Sequence, residues 1–162
     1  MAAVSLGNLL AMEGDVAGAK AAYQQVIDSK DPYECPAAAV RLGDLLSEQG
    51  DVAGAKAAYQ QAIDSGDAYH AHEATIGLGD LLRVQEDVAG AKAAYQQVIA
   101  SGDADYAARA MAKLGDILRE QGDILREQGD VAGAKAAYQQ AIDSGDWKAG
   151  YWASKGLRKL RN

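Results

Sequence analysis

The amino-acid sequence predicts an all-α solenoid of four antiparallel helix pairs followed by one capping helix. The first observation is a recurring segment, GDVAGAKAAYQQ, whose third copy begins with Glu instead of Gly. Its copies lie at Gly14–Gln25, Gly50–Gln61, Glu86–Gln97 and Gly129–Gln140. They begin 36, 36 and 43 residues apart, and self-similarity at such a period is the sequence signature of a solenoid. The second observation is that apolar residues recur at helical spacing and show no alternation of period two.

Each repeat is predicted to contain two helices joined by a short turn. In the second repeat an apolar helical pattern ends at Gly50, and Asp51 precedes the next pattern. Gly stops a helix because it adopts the left-handed conformation, and Asp caps the N-terminus of the helix that follows. We therefore expect one domain over residues 1–162, with repeats at about 1–30, 31–66, 67–102 and 103–145 and a capping helix at about 147–161.

Glycines inside the first helices predict a close approach of two helices, because Gly in a helix interior costs about 1 kcal/mol relative to Ala. These are Gly7, Gly43, Gly79 and Gly115. We expect them to face small residues of the second helices, namely Ala19, Ala55, Ala91 and Ala134. The tyrosines of the second helices are then expected to fill the space toward the neighbouring repeat.

The third turn differs from the others because Glu86 replaces its glycine. A left-handed conformation costs a non-glycine residue about 1 kcal/mol. The sequence therefore predicts a looser or altered helix end at this turn.

The fourth repeat contains an immediate duplication, in which GDILREQ occupies both Gly115–Gln121 and Gly122–Gln128. Seven residues are nearly two helical turns, about 10.5 Å of length and about 20° of rotation, so the copy keeps its apolar face. The copy could lengthen the first helix, join the second helix or loop out; we favour the lengthened first helix. In a helical arrangement Ile117, Leu118, Ile124 and Leu125 extend past the preceding repeat, and uncovered apolar surface of this kind invites self-association.

The residues Ala39, Leu42, Gly43, Leu46, Ala55, Tyr59 and Ala62 resemble the signature of the tetratricopeptide repeat. The resemblance covers the four repeats, with a period of 36 residues in place of the family's usual 34. It implies a right-handed superhelix of paired helices whose first helices line a concave groove that binds peptides.

The resemblance also implies which residues line that groove: Asn8, Met12, Val40, Asp44, Glu48, Ile76, Asp80, Arg83, Asp116 and Arg119. Family members that hold a C-terminal carboxylate use Lys, Asn and Arg, and here only Asn8 fits. The acidic column Asp44, Asp80 and Asp116 favours a basic or apolar-basic guest instead. The alternative is that these carboxylates are solvated or pair with Arg83 and Arg119.

The charge of the chain is unevenly placed. The formal net charge is −7, whereas Trp147–Asn162 carries five basic residues and no acid. An acidic body repels nucleic acid, and we expect no nucleic-acid partner. The basic segment is predicted to be a capping helix in which Trp147 and Trp152 cover the last core layer. It could also contact the acidic body of another copy, making a homo-oligomer possible.

Other classes of function find little support in the sequence. The two histidines, His70 and His72, are too few and too divergent on a helix to form a structural zinc site. Cys35 is the only cysteine and has no basic cluster beside it to stabilise a thiolate. No phosphate loop or nucleophile elbow is present. We expect neither an enzyme nor a cofactor.

A membrane partner is also not expected, because the sequence contains no long apolar run. No basic-then-apolar leader follows Met1, so we expect a cytoplasmic protein. The predicted function is a non-catalytic protein–protein interaction scaffold. The alternatives are a self-association module that uses the duplicated heptad and the C-terminal helix, or a designed or duplicated repeat whose interest is its architecture.

Overall fold

A computed structural model describes residues 2–160, with side chains from Val4 onward. Met1, Arg161 and Asn162, which the predicted first repeat and basic C-terminal segment include, lie outside the described residues. Residues 2–160 form helices only: α1 Ala2–Met12, α2 Val16–Ser29, α3 Cys35–Glu48, α4 Val52–Ile63, α5 Ala68–Val84, α6 Val88–Ala100, α7 Ala104–Glu127, α8 Val131–Asp143 and α9 Trp147–Lys159. Within this range no helix is both long enough and apolar enough to cross a bilayer.

The helices form two compact units that divide at the third turn. The N-terminal unit extends to Asp87 and contains α1 to α5, and the C-terminal unit begins at Val88 and contains α6 to α9. Within each unit a helix packs against the next one along the chain, and α1 contacts α3, α3 contacts α5 and α7 contacts α9. The single-domain organisation remains a prediction.

Aspartates begin the second helices as the sequence predicts. The carboxylates of Asp15, Asp51 and Asp130 each accept a hydrogen bond of 2.9 Å from the backbone N–H three residues later. Each of these donors is the glycine of the segment DVAG, where an added Cβ would collide with the capping carboxylate. The recurring glycine therefore leaves room for the cap.

The turn at Glu86 keeps the geometry of the glycine turns. Gly50 has φ +75° and Glu86 has φ +63°. The hydrogen bond from Asp87 N–H to Leu82 O is 2.9 Å, the same length as that from Asp51 N–H to Leu46 O. The predicted loosening of this helix end is therefore wrong, because the surrounding turn holds Glu86 in the left-handed region.

A tyrosine ring packs between glycines of two first helices. A Cβ added at Gly43 would lie 2.6 Å from the ring of Tyr59, and one at Gly77 would lie 2.8 Å from the same ring. Tyr138 lies in the same way between Gly122 and Gly156. The glycines therefore make room for aromatic rings, and the predicted alanine contacts are wrong in this respect. The alanines named for that role, Ala19, Ala55, Ala91 and Ala134, are nevertheless completely buried.

The duplicated heptad lengthens the first helix of the fourth repeat, which confirms the arrangement that we favoured. The helix α7 has 24 residues, whereas the corresponding helix α3 has 14. Gly122 contacts Tyr138 as Gly43 contacts Tyr59, so the second copy takes the register of the other repeats. Gly115 instead approaches Ser144, which caps the C-terminus of α8, and Ala149 in the first turn of α9. The predicted contact of Gly115 with Ala134 on α8 is therefore wrong. The glycine that contacts α8 is Gly122, one heptad later.

Replacing Glu86 by Gly should raise the free energy of unfolding by about 1 kcal/mol, because Gly adopts positive φ without a steric penalty. Urea denaturation of the variant and the parent checks this value. The matched control is Gly50→Glu, which should lower the free energy of unfolding by a similar amount. No gain in Glu86→Gly would contradict a strained turn.

Candidate peptide-binding surface

The hydroxyls of Tyr23, Tyr59 and Tyr138 donate hydrogen bonds to polar side chains of the first helices. Tyr23 donates to Oδ1 of Asn8 at 2.7 Å, Tyr59 to Oδ1 of Asp44 at 2.9 Å, and Tyr138 to Oδ1 of Asp123 at 2.7 Å. In each case the acceptor precedes the tyrosine by fifteen residues. Predicted groove residues Asn8 and Asp44 therefore have equivalent positions in their repeats.

Asp123, which the sequence analysis did not name, takes the position predicted for Asp116. The reason is the register of α7, since its second heptad pairs with α8. The sequence contains a signal for this position, because Asp123 precedes the capping Asp130 by seven residues, as Asp44 precedes Asp51. Asp116 lies one heptad earlier and is partly buried.

Two of the predicted groove residues cannot offer a side-chain surface. Val40 and Ile76 are almost completely buried. Val40 belongs to the hydrophobic core cluster of the N-terminal unit. The prediction that Val40 and Ile76 line a groove is therefore corrected. Asn8, Met12, Glu48 and Arg83 are exposed, and Asp44 and Asp80 are partly exposed.

Three carboxylates of the N-terminal unit act on the Tyr59 hydroxyl, and one of them, Asp44, accepts its hydrogen bond. Burial is the main cause that raises the pKa of Tyr59, and the charges of Asp44, Asp80 and Glu48 raise it further. These three carboxylates and Glu73 on α5 are called the Tyr59 surface below. Tyr59 therefore remains a neutral hydrogen-bond donor at physiological pH. The Tyr59 surface is acidic because its ionisable groups are carboxyl groups.

Arg41 bridges two carboxylates of the Tyr59 surface. Its Nη1 lies 3.2 Å from Oδ2 of Asp44 and its Nη2 lies 3.3 Å from Oε1 of Glu73. Burial raises the pKa of Asp44, Glu73 adds to this effect, and the contacts with Tyr59 and Arg41 oppose it. Arg41 is itself partly exposed, so an incoming cation can compete with it for both carboxylates.

The repeat pattern could not reveal Glu73. The residues one period before and after it are Ala37 and Arg109. Its contact with Arg41 crosses from one repeat to the next and depends on how α3 and α5 pack. Sequence periodicity describes each repeat separately and contains no signal for such a pair.

The C-terminal unit satisfies its equivalent carboxylate more fully. Nη1 of Arg119 lies 2.9 Å from Oδ2 of Asp123, and Nη2 of Arg126 lies 3.7 Å from its Oδ1. Burial and the bond to Asp123 raise the pKa of Tyr138 to about 12. Two guanidinium groups therefore neutralise Asp123, which makes this position less suited to a basic guest than Asp44. Arg119, one of the predicted groove residues, thus forms an ion pair with Asp123 on the same helix.

The residues predicted for self-association fall into two groups. Ile117 and Leu118 are buried within the chain, so their prediction is wrong. Ile124 is 54% exposed, Leu125 is partly buried, and Trp147 and Trp152 are exposed. The buried pair belongs to the first copy of the heptad, whose Gly115 approaches Ala149 on α9, whereas Ile124 belongs to the second copy, which has the register of the other repeats.

A cleft of about 510 Å³ lies between α2 and α4. Its lining includes Ile27, Cys35, Pro36 and Gln61. Burial and the nearby Asp31 raise the pKa of the Cys35 thiol, which disfavours a reactive thiolate. Among the described residues, no group of three or more His, Cys, Asp or Glu side chains is placed to hold a metal ion.

Replacing Asp44 by Asn should leave the free energy of unfolding at pH 7 unchanged or raise it, because Asn keeps an acceptor for Tyr59 and removes a partly buried charge. The chain already uses Asn8 in this way. Asp44→Ala should lower it by about 1–2 kcal/mol, since the Tyr59 hydroxyl loses its acceptor. Urea denaturation of both variants measures the difference.

The pH dependence of the free energy of unfolding, compared between the parent and Asp44→Asn, shows whether the pKa of Asp44 is raised in the folded protein. A carboxyl whose pKa is raised in the folded state binds its proton more tightly there, so protonation favours folding. The parent should therefore gain stability relative to Asp44→Asn as the pH falls from 7 toward about 4. A relative loss over this range would contradict the raised pKa.

Comparison with known proteins supports the repeat architecture. Residues 4–70, 40–106 and 76–126 match one model of the tetratricopeptide repeat, and residues 109–144 match a second. The fold is similar to the crystal structure of MamA, with a TM-score of 0.62 and 21% sequence identity, over 96% of this chain and 92% of that chain. No curated protein matches the sequence. The predicted all-α solenoid of helix pairs is confirmed, and the chain belongs to the tetratricopeptide repeat family.

Proposed function

We propose that the protein is a non-catalytic interaction scaffold that binds a basic or apolar-basic segment of a protein partner at the Tyr59 surface. Membership of the tetratricopeptide repeat family supports an interaction scaffold in general. The observation that carries the finer proposal is the set of carboxylates around the Tyr59 hydroxyl, Asp44, Glu48 and Asp80. Arg41 shows that a guanidinium group fits between Asp44 and Glu73.

The charge of the N-terminal unit favours the same class of guest. Residues 1–87 contain fourteen acidic and five basic side chains, a formal charge of −9. Residues 88–162 contain nine acidic and eleven basic side chains, a formal charge of +2. A field of one sign accelerates the approach of an oppositely charged segment. The guest is therefore expected to approach the N-terminal unit.

The experiment compares two synthetic probes of equal length, an amphipathic Lys/Leu peptide and its Glu/Leu counterpart, by fluorescence anisotropy. The Lys/Leu probe should bind, and Asp80→Lys should weaken its binding at least tenfold because it reverses a charge beside Tyr59. The matched control is Asp28→Lys on α2, which changes the net charge equally but lies outside the Tyr59 surface. Binding should also decrease with added salt.

Two outcomes would overturn this proposal. An unchanged affinity in Asp80→Lys would remove the Tyr59 surface as the site. Equal losses in Asp80→Lys and Asp28→Lys would mean that the probe responds to net charge only. The expected absence of catalysis, of nucleic-acid and membrane partners, and the cytoplasmic location remain predictions.

A second candidate function is self-association. The exposure of Ile124 on the second copy of the heptad and of Trp147 and Trp152 on α9 favours it. These residues suggest two possible surfaces, the heptad and the C-terminal helix, which one set of variants can separate.

A further inference from the structure

We propose that the protein assembles head to tail, with the outer face of α9 in one copy packing on the outer face of α1 in the next. The α1 face consists of Leu6, Leu9 and Met12. The α9 face consists of Tyr151, Trp152 and Lys155. The inference develops the second candidate function and uses no residue of the Tyr59 surface, so peptide binding and assembly can fail independently.

The α1 face is apolar and uncovered at positions that the chain covers elsewhere. Leu6 is 52% exposed and Leu9 is 56% exposed, whereas the residues one period later, Leu42 and Leu45, are each 6% exposed. The later pair lies on α3, which packs against α1 and α2. The preceding helix pair, α1 and α2, therefore covers Leu42 and Leu45, and no such pair covers Leu6 and Leu9 among the described residues.

Charge does not protect the α1 face from association. The sequence of Ala2–Met12, AAVSLGNLLAM, contains no ionisable side chain. Met12 extends the face and is largely exposed. Adjacent exposed apolar side chains on an uncharged helix mark an interaction surface, and burial of each leucine contributes about 1.5–3 kcal/mol when complete.

The α9 face presents a preorganised aromatic cluster. The rings of Tyr151 and Trp152 meet edge to face, with centroids 5.3 Å apart. Nζ of Lys155 lies 4.7 Å from the centroid of each ring. Both rings are about half exposed. Exposed aromatic residues held in one arrangement are typical anchors of protein interfaces, because little conformational entropy is lost when they bind.

The charges at the two faces are complementary. Lys148, Lys155, Arg158 and Lys159 give α9 a charge of +4, with no acidic residue between Trp147 and Lys159. The N-terminal unit, which contains α1, has a charge of −9, and Glu13 and Asp15 follow α1 directly. A second copy of this chain therefore offers both the apolar and the electrostatic complement of each face.

The orientation follows from the packing of the chain itself. First helices of successive repeats contact each other, as α1 does α3 and α7 does α9, and they run in the same direction because each is separated from the next by one antiparallel helix. If α9 packs on α1 of another copy in the same way, Arg158 and Lys159 lie at the end occupied by Glu13 and Asp15. Cations are also favoured near the carbonyl groups at the end of α1.

The repeat alignment favours a single helix as the occupant of the α9 face. Gly156 makes room for the ring of Tyr138, as Gly77 does for the ring of Tyr59. Arg158, two residues later, therefore takes the position at which other first helices have a glycine that makes room for the tyrosine of the same repeat. An arginine leaves no room for that ring. A second helix with a tyrosine at this place therefore fits α9 less well than a first helix such as α1, which needs no tyrosine pocket.

The test uses two variants of the full chain, Leu9→Glu and Trp152→Glu, and light scattering after gel filtration. The wild type should form a concentration-dependent series of oligomers, because a contact between two different faces leaves a free face at each end. Each variant alone should be monomeric. An equimolar mixture should form dimers and nothing larger, since α9 of Leu9→Glu and α1 of Trp152→Glu remain intact.

The matched control is Ile124→Glu, which places the same charge on an equally exposed aliphatic residue in the second copy of the heptad. This variant should assemble like the wild type. Raising the salt concentration from about 0.05 M to about 0.5 M should weaken the assembly of both proteins. Circular dichroism verifies that each variant is folded; Leu9→Gln and Trp152→Gln replace any that is not.

Four outcomes would overturn the proposal. The wild type could remain monomeric at every concentration, or the mixture of variants could remain monomeric. Assembly that survives in Trp152→Glu and is lost in Leu9→Glu would indicate a symmetric contact between two α1 faces. Loss of assembly in Ile124→Glu would assign the interface to the second copy of the heptad.

Discussion

A tyrosine ring packed between glycines of two neighbouring first helices determines both the distance between the helices and their register. Tyr59 fills the space that Gly43 and Gly77 leave free, and any Cβ at those positions would overlap its ring. The hydroxyl of the same residue reaches Asp44 at 2.9 Å. One side chain thus joins the apolar interior of the solenoid to its polar surface. Glycine in the helix interior costs about 1 kcal/mol, and ring burial offsets this cost.

The duplicated heptad is tolerated because it preserves this constraint. Seven residues rotate a helix by only about 20°, so Gly122 and Gly115 lie on the same side of α7. Gly122 receives Tyr138, and Gly115 becomes free to approach Ala149 at the start of α9. Ile124 in the second copy is exposed, whereas the equivalent Leu45 is buried. An insertion of two or three residues would have turned Gly122 away from Tyr138.

Much of the fold can be predicted from the sequence because the repeat supplies the same local signals several times. Gly50 and Asp51 define a turn and a cap that the structure reproduces, and the long α7 follows from helix propensity and the preserved apolar face. The identity of the acidic acceptor was less accessible, because Asp116 and Asp123 occur in identical heptads. Only the distance to the capping Asp130 distinguishes them. Val40, Ile76, Ile117 and Leu118 were misplaced because their burial depends on the neighbouring helices and not on their own helix.

The same limit applies to function. Leu6 and Leu42 have identical places in the repeat, and their exposures differ because only Leu42 has a preceding helix pair within the described residues. Glu73 joins the Tyr59 surface through Arg41, a contact that no single repeat contains. Binding surfaces of a solenoid arise from differences between repeats, whereas its fold arises from what the repeats share. Periodicity therefore predicts the architecture more completely than the partners.

A double-mutant cycle on Tyr138 tests the register of α7 most directly. The cycle combines Tyr138→Phe with Asp123→Ala, and a second cycle combines Tyr138→Phe with Asp116→Ala, each measured by urea denaturation. The hydrogen bond to Asp123 predicts a coupling energy of about 1 kcal/mol in the first cycle. In the second cycle the coupling should be near zero. A coupling with Asp116 and none with Asp123 would place the first heptad, and not the second, against α8 and would contradict the register described above.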